Sequence, residues 1–227
     1  LLLKEQGIEQ VLRDGLNRLP GTPALQVELA TALMPAAPEE SIRLLEDLLE
    51  RGVPARPAVM RAEIDFLRAI REPDEAERKV KLQAVVAQAQ SIAASSDPET
   101  VYAGHMLLGR IREFEGDAAQ AIQCYEAARR IKDDPQPRNQ LAPLYFKQGL
   151  YADAARVLES TIAKERQSLH IARLAIARQM EQNISAAERF AREALATPPD
   201  LDPSIRIVAA NILLDAGKTD EAISIIQ

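Results

Sequence analysis

Leu108-Gly109-Arg110-Ile111-Arg112-Glu113-Phe114-Glu115-Gly116-Asp117-Ala118-Ala119-Gln120-Ala121-Ile122-Gln123-Cys124-Tyr125 decides the fold. Helical spacing of apolar residues runs up to Gly116 and resumes after Asp117. Gly ends a helix cheaply in the left-handed region, and Asp caps the next one. The pattern then returns at Gly149, Gln182 and Gly217, at steps of 33, 33 and 35 residues. Five positions after each turn stands a small residue: Ala121, Ala154, Ala187 and Ala222. Four further on come Tyr125, Leu158, Ala191 and Ile226. Eight before the turn lie Leu108, Leu141, Leu174 and Ala209, followed by Gly109, Ala142, Ala175 and Ala210. Five columns in one register over four units mark an internal repeat of helix pairs.

Outside this region the periodicity stays helical, and Gly and Pro fall between periodic runs. No run alternates apolar and polar residues as a half-buried strand would, so no sheet is expected. The reading predicts helices over 1–18, 22–34, 38–51, 57–71, 74–95, 99–114, 118–131, 136–148, 151–164, 168–181, 184–196, 203–215 and 219–227. Asp117, Asp153 and Asp202 provide capping signals, the last before Pro203 at a first helical position.

These columns resemble the tetratricopeptide repeat, whose signature joins Leu-Gly, a Gly-bearing turn, Ala-x-x-x-aromatic and Pro. The best match is Leu108-Gly109, Gly116, Ala121-x-x-x-Tyr125, Ala128 and Pro135. The next units carry Leu141-Ala142, Tyr145, Gly149 and Ala154-x-x-x-Leu158, then Leu174-Ala175, Ala187-x-x-x-Ala191, Ala194 and Pro199, then Ala210, Gly217 and Ala222-x-x-x-Ile226. Upstream the likeness is degenerate. Leu29-Ala30, Leu33, Ile42, Leu45 and Leu48 mark one unit. A longer one has its second helix running through Val80, Ala84, Ala87 and Ile92. The expected organisation is a single solenoid over 1–227, divided as 1–20 (the tail of a preceding unit), 21–53, 54–98, 99–134, 135–167, 168–202 and 203–227 (truncated). Beginning at Leu1 and stopping inside a helical pattern at Gln227, the sequence reads as a piece of a longer protein.

The resemblance implies an all-α, right-handed α–α superhelix of antiparallel helix pairs. It also implies a non-catalytic scaffold that binds a peptide or protein segment in a concave groove lined by first helices. By the family's geometry the groove residues are Arg110 and Glu113, then Gln136, Asn139, Phe146 and Lys147, then Arg173 and Gln179, then Asn211. This mixture of cations, amides and one aromatic suits an extended acidic or amide-rich peptide. A clamp for a terminal carboxylate is not expected. Its positions read Met106 and Arg110, Asn139 and Pro143, and Ala172 and Ile176 with Arg173 alongside, and only Asn139 and Arg173 fit in kind. The alternative role is a regulatory or substrate-presenting arm of a larger enzyme, or of a bacterial envelope or secretion assembly.

Composition excludes other classes. The chain has 227 residues, a net charge of −6, 4% aromatics and no Trp. Residues 1–100 carry a net −5, and no basic stripe of the kind phosphate binding needs is present, so nucleic acid is not an expected partner. No apolar run approaches a bilayer span. A lone Cys124 forms no intramolecular disulfide and reads as a buried small hydrophobe. Two histidines, His105 and His170, far apart and without C-x-x-C or H-E-x-x-H, argue against a metal site. Glu72, Asp74, Glu75 and Glu77 read as a solvated helix start, and Arg78-Lys79-Val80-Lys81 as a charge-paired face. No phosphate-loop motif occurs, so neither cofactor nor catalytic residues are expected. Pro143, inside a predicted helix, removes one hydrogen bond to Asn139 and reads as a kink. The compartment is left open. Ile212, Leu213, Ile223 and Ile226 are expected to lie uncovered at the last unit, an apolar end suited to self-association.

Overall fold

The computed structural model describes residues 2–33, 36–52, 56–196 and 203–226, with side chains from Gly7 onward. Among these are thirteen α-helices and no strand. The expected cap Asp202 and the repeat-ending Pro199 lie outside the described residues. The chain divides into two compact units, Leu1–Phe114 and Glu115–Gln227.

The first unit holds α1 (Leu2–Arg18), α2 (Pro23–Leu33), α3 (Pro38–Glu50), α4 (Pro57–Ala69), α5 (Glu75–Ala93) and α6 (Pro98–Phe114). Four of these six begin at a proline: Pro23, Pro38, Pro57 and Pro98 each sit where a missing N–H costs nothing. Asp74 caps α5 by accepting from the Glu77 N–H at 2.8 Å. Each helix packs on the next, and α4 also touches α6. Leu29, Ala30, Leu33, Ile42, Leu45 and Leu48 are buried as the degenerate repeat requires. The long α5 differs from expectation. It buries Leu82, Val85, Ala89 and Ile92, while Val80 is 66% exposed and Ala84 and Ala87 face solvent. Counting back from Ile92 in steps of three and four selects a stripe roughly 150° around the helix from Val80, Ala84 and Ala87, close to the opposite face.

The second unit holds α7 (Ala118–Ile131), α8 (Pro135–Lys147), α9 (Tyr151–Lys164), α10 (Ser168–Met180), α11 (Ile184–Ala196), α12 (Pro203–Asp215) and α13 (Thr219–Ile226). Again each helix packs on its successor, and α10 also packs on α12. One turn geometry recurs. The N–H groups of Leu150, Asn183 and Lys218 donate to the carbonyls of Tyr145, Arg178 and Leu213 at 2.9, 2.9 and 2.8 Å. Those of Gly149, Gln182 and Gly217 close the inner bond to Phe146, Gln179 and Leu214. This is the Schellman arrangement, whose middle residue takes positive φ. Gly149 and Gly217 have φ of 70° and 74°, and Gln182 holds 62° without being glycine. The fold therefore keeps the turn where the sequence column changes residue. Asp153 is in the first turn of α9 rather than before it; the cap position is Leu150, which has no side-chain bond to offer.

The repeat columns are interior. Ala121, Tyr125, Leu141, Ala142, Ala154, Leu158, Leu174, Ala175, Ala187, Ala191, Ala209, Ala210 and Ala222 are all buried. Ile226 breaks its column at 63% exposed; Ile225 rather than Ile226 packs beside Ala222 against Ala210 and Leu213. Ile212 and Leu213, expected to be uncovered, are buried. Ile212 packs with Ala175, Ala187, Ala191 and Ala209, and Leu213 packs with Ala210 and Ala222. Cys124 is half-buried, since α7 turns Ala121, Tyr125 and Ala128 inward instead. Pro143 is exposed and α8 continues through it.

Candidate functional site

The expected groove residues divide between the units. Arg110 and Glu113 lie on α6 in the first; the other seven lie on α8, α10 and α12 in the second. Arg110 is already engaged. Its guanidinium bonds Glu63 on α4 and lies 5.0 Å from the Phe66 ring centroid. Phe66 in turn meets Phe114 edge-on at 6.4 Å. The cation thus ties α4 to α6 through charge and ring quadrupole together. Glu113 is exposed on the last turn of α6.

In the second unit α8 presents Gln136, Asn139 and Lys147 to solvent, with Phe146 half-buried against the Tyr151 ring at 6.0 Å. Behind them Tyr145 is buried and donates to Glu126 on α7 at 2.9 Å. Burial, reinforced by that carboxylate, pushes its phenol up to about 12. Arg173 on α10 is half-buried. Burial first, and then the Arg173 charge, holds His170 below the ordinary imidazole range, against a smaller opposing pull from Glu165. Gln179 donates its amide to Asp215 on α12, and Asn211 is exposed one turn before that aspartate. The structure therefore packs α10, with Arg173 and Gln179, on α12, with Asn211, and joins them through Gln179 and Asp215; these two helices form the candidate wall.

Sequence reasoning missed the apolar part of this wall. Met180, Ile207 and Leu214 are large and exposed. Ile207 and Leu214, seven apart on α12, flank Asn211 on one face. The 35-residue step that places Asn211 after Ile176 also places Leu214 after Gln179, so the repeat arithmetic could have found it. It missed Arg138 as well. This residue on α8 is 3% exposed, and its guanidinium bonds Asp133, which also receives Lys164. Ile171 holds the equivalent position one repeat later and is buried as a hydrocarbon should be.

Among the described residues no group of three or more His, Cys, Asp or Glu could hold a metal ion, and no helix is long and apolar enough to cross a membrane.

No known protein-family model matches the chain, and no curated protein matches it in sequence. Solved structures do match in fold. MamA (41-end) from Desulfovibrio magneticus RS-1 superposes at a TM-score of 0.57 with 13% identity, over 74% of this chain and 90% of that one. BtubC from P. vanneervenii gives 0.53 with 17% identity, over 93% and 88%. The fold is tetratricopeptide-like. A third match, described as Naa15/Naa10 bound to HypK-THB, gives 0.51 with 17% identity, over 89% of this chain but 30% of that one. A tetratricopeptide-like array of helix pairs is a scaffold kind of fold, in which stacked first helices offer an extended surface.

Proposed function

We propose that the chain is a non-catalytic interaction scaffold that takes a peptide segment along the α8, α10 and α12 surfaces of its second unit. The observation that carries the reading is the α10–α12 wall. Arg173 and Gln179 on α10 and Asn211 on α12 supply charge and amides there, and Met180, Ile207 and Leu214 are exposed on the same two packed helices. Amides satisfy the backbone of an extended peptide, cations take its carboxylates, and the apolar side chains give it an anchor. Phe146 and Lys147 extend the same chemistry on α8. Arg110 and Glu113 belong to the first unit, where Glu63 already neutralises Arg110, and are left out of this surface. The repeat boundaries that support this reading are 135–167, 168–202 and 203–227. In a partner screen with retained binding as the readout, Lys147→Glu and Arg173→Glu should each weaken the complex by about 1–3 kcal/mol while leaving thermal stability nearly unchanged. Parent-like binding by both variants removes the wall as the site.

A second role follows from the α13 surface. Ile223 and Ile226 are exposed on this last described helix, which suits self-association. Sedimentation over a range of concentrations tests this directly, and Ile226→Lys should abolish any association seen. The match to a structure solved as a bound complex is consistent with work inside a larger assembly, as a regulatory or substrate-presenting arm.

A further inference from the structure

On the other side of the second unit, a groove of about 410 Å³ opens between the second helices α9 and α11. Its floor is apolar. Ile162 and Ala163 come from α9 and Phe190 from α11, with Ile162 and Phe190 packed on the buried cluster of Ile171, Ala172, Ala194 and Ile205. The volume is in the range that seats a small ligand or a bulky side chain.

The charges around it are unevenly committed. Glu159 accepts from Arg178 at 2.5 Å, and Glu193 accepts from Arg166 at 2.7 Å. Both carboxylates of the groove are therefore already paired. Arg189 is different. It is exposed, its guanidinium lies 4.5 Å from the Phe190 ring centroid, and it has no carboxylate partner among the described residues. A guanidinium laid over a ring keeps its N–H edge available for a bidentate acceptor. The groove thus offers an apolar slot beside an unneutralised cation, on a chain whose net charge is −6. A carboxylate on a partner segment is the complement of this free guanidinium.

We propose that the α9–α11 groove is a second docking surface, which takes an acidic partner segment carrying one bulky apolar side chain. The apolar group fills the slot over Ala163 and Phe190, and a flanking carboxylate takes Arg189. This surface is independent of the α10–α12 wall and of the reading built on it.

The test uses the 227-residue chain and a short capped peptide of glutamates around one phenylalanine. Two control peptides replace the phenylalanine by alanine or the glutamates by lysines. Amide shifts in nuclear magnetic resonance should move at Ile162, Ala163, Arg189 and Glu193, and both controls should bind at least about tenfold more weakly. Arg189→Glu removes the cation and Ala163→Trp fills the slot. Both sites are exposed, and circular dichroism confirms the fold of each variant. Each should weaken peptide binding read at the groove resonances by about tenfold, whereas Lys147→Glu and Arg173→Glu should leave the groove shifts unchanged. The proposal is overturned by an absence of saturable binding, by equal binding of the lysine peptide, or by shifts confined to α8, α10 and α12. Concentration-dependent shifts at the groove without peptide overturn it too, since they make a second copy the occupant.

Discussion

A β-carbon built on Gly104 would stand 2.5 Å from the backbone nitrogen of Ala93 and 2.8 Å from its Cα. Gly104 lies in the middle of α6 and Ala93 ends α5, so backbone meets backbone where these two helices pack. Helical glycine costs about 1 kcal/mol relative to alanine in an exposed helix, yet here no other side chain fits.

Gly104→Ala should therefore destabilise the fold by about 1–3 kcal/mol, because neither backbone can move aside as a flexible side chain would. Equilibrium denaturation measures it. A gain in stability, as helix propensity alone would give, refutes the close approach.

Gln182 makes the opposite case. Its φ of 62° is a strained value for a residue with a β-carbon. Gln182→Gly should stabilise by up to about 1 kcal/mol, the relief of strain exceeding the added freedom of the unfolded chain. A shifted denaturation midpoint at constant slope is the expected record.

Leu150 occupies the cap position that Asp117 and Asn183 fill elsewhere with bonds to Gln120 and Ala186. Leu150→Asp should add about 1 kcal/mol by giving α9 the missing acceptor. The side chain is already exposed, so little burial is lost. An unchanged midpoint would show that solvent already serves those N–H groups equally well.

The histidines set a pH dependence. Burial holds His105 below its ordinary value of 6.5, and burial with Arg173 does the same for His170. Below pH 6.5 the unfolded chain binds protons that the fold refuses, so stability is full above that value and falls as pH drops through it. A second loss follows in stronger acid. There Glu40, Glu72, Asp97 and Glu221, each held low first by a side-chain hydrogen bond, from Arg13, Lys81, Thr100 and Arg192 respectively, must be protonated. Replacing both histidines by glutamine should flatten the first slope in a denaturation series from about pH 7.5 to 5.5 and spare the second.

The helices were legible because their punctuation is chemical. Asp117 before α7, Pro203 at the start of α12 and the glycine column act within a few residues. The rotation of a helix about its axis is less local. The α5 stripe was misjudged because Val80, Ala84 and Ala87 share the apolar spacing of Leu82, Val85 and Ala89, and packing against α4 and α6 chose between them. The candidate wall was half legible. Its amides and cations follow from the repeat step, but the bond from Gln179 to Asp215 and the capture of Arg110 by Glu63 join residues 36 and 47 apart. No column of one repeat records such pairs. Arg138 is a charged residue that no repeat column marks, and it is buried with its guanidinium bonded to Asp133.

Within each unit, every helix packs on its successor, with α4–α6 and α10–α12 as the further neighbours. Contacts so close along the chain can form early and in several places, without waiting for distant segments to meet. Hydrogen exchange should accordingly show protection graded along each unit, with opening in steps of a helix or a pair rather than all at once. It also makes the architecture tolerant of change in length: a helix pair can be gained or lost at a turn such as Gly149 while the pairs beyond it keep their own register.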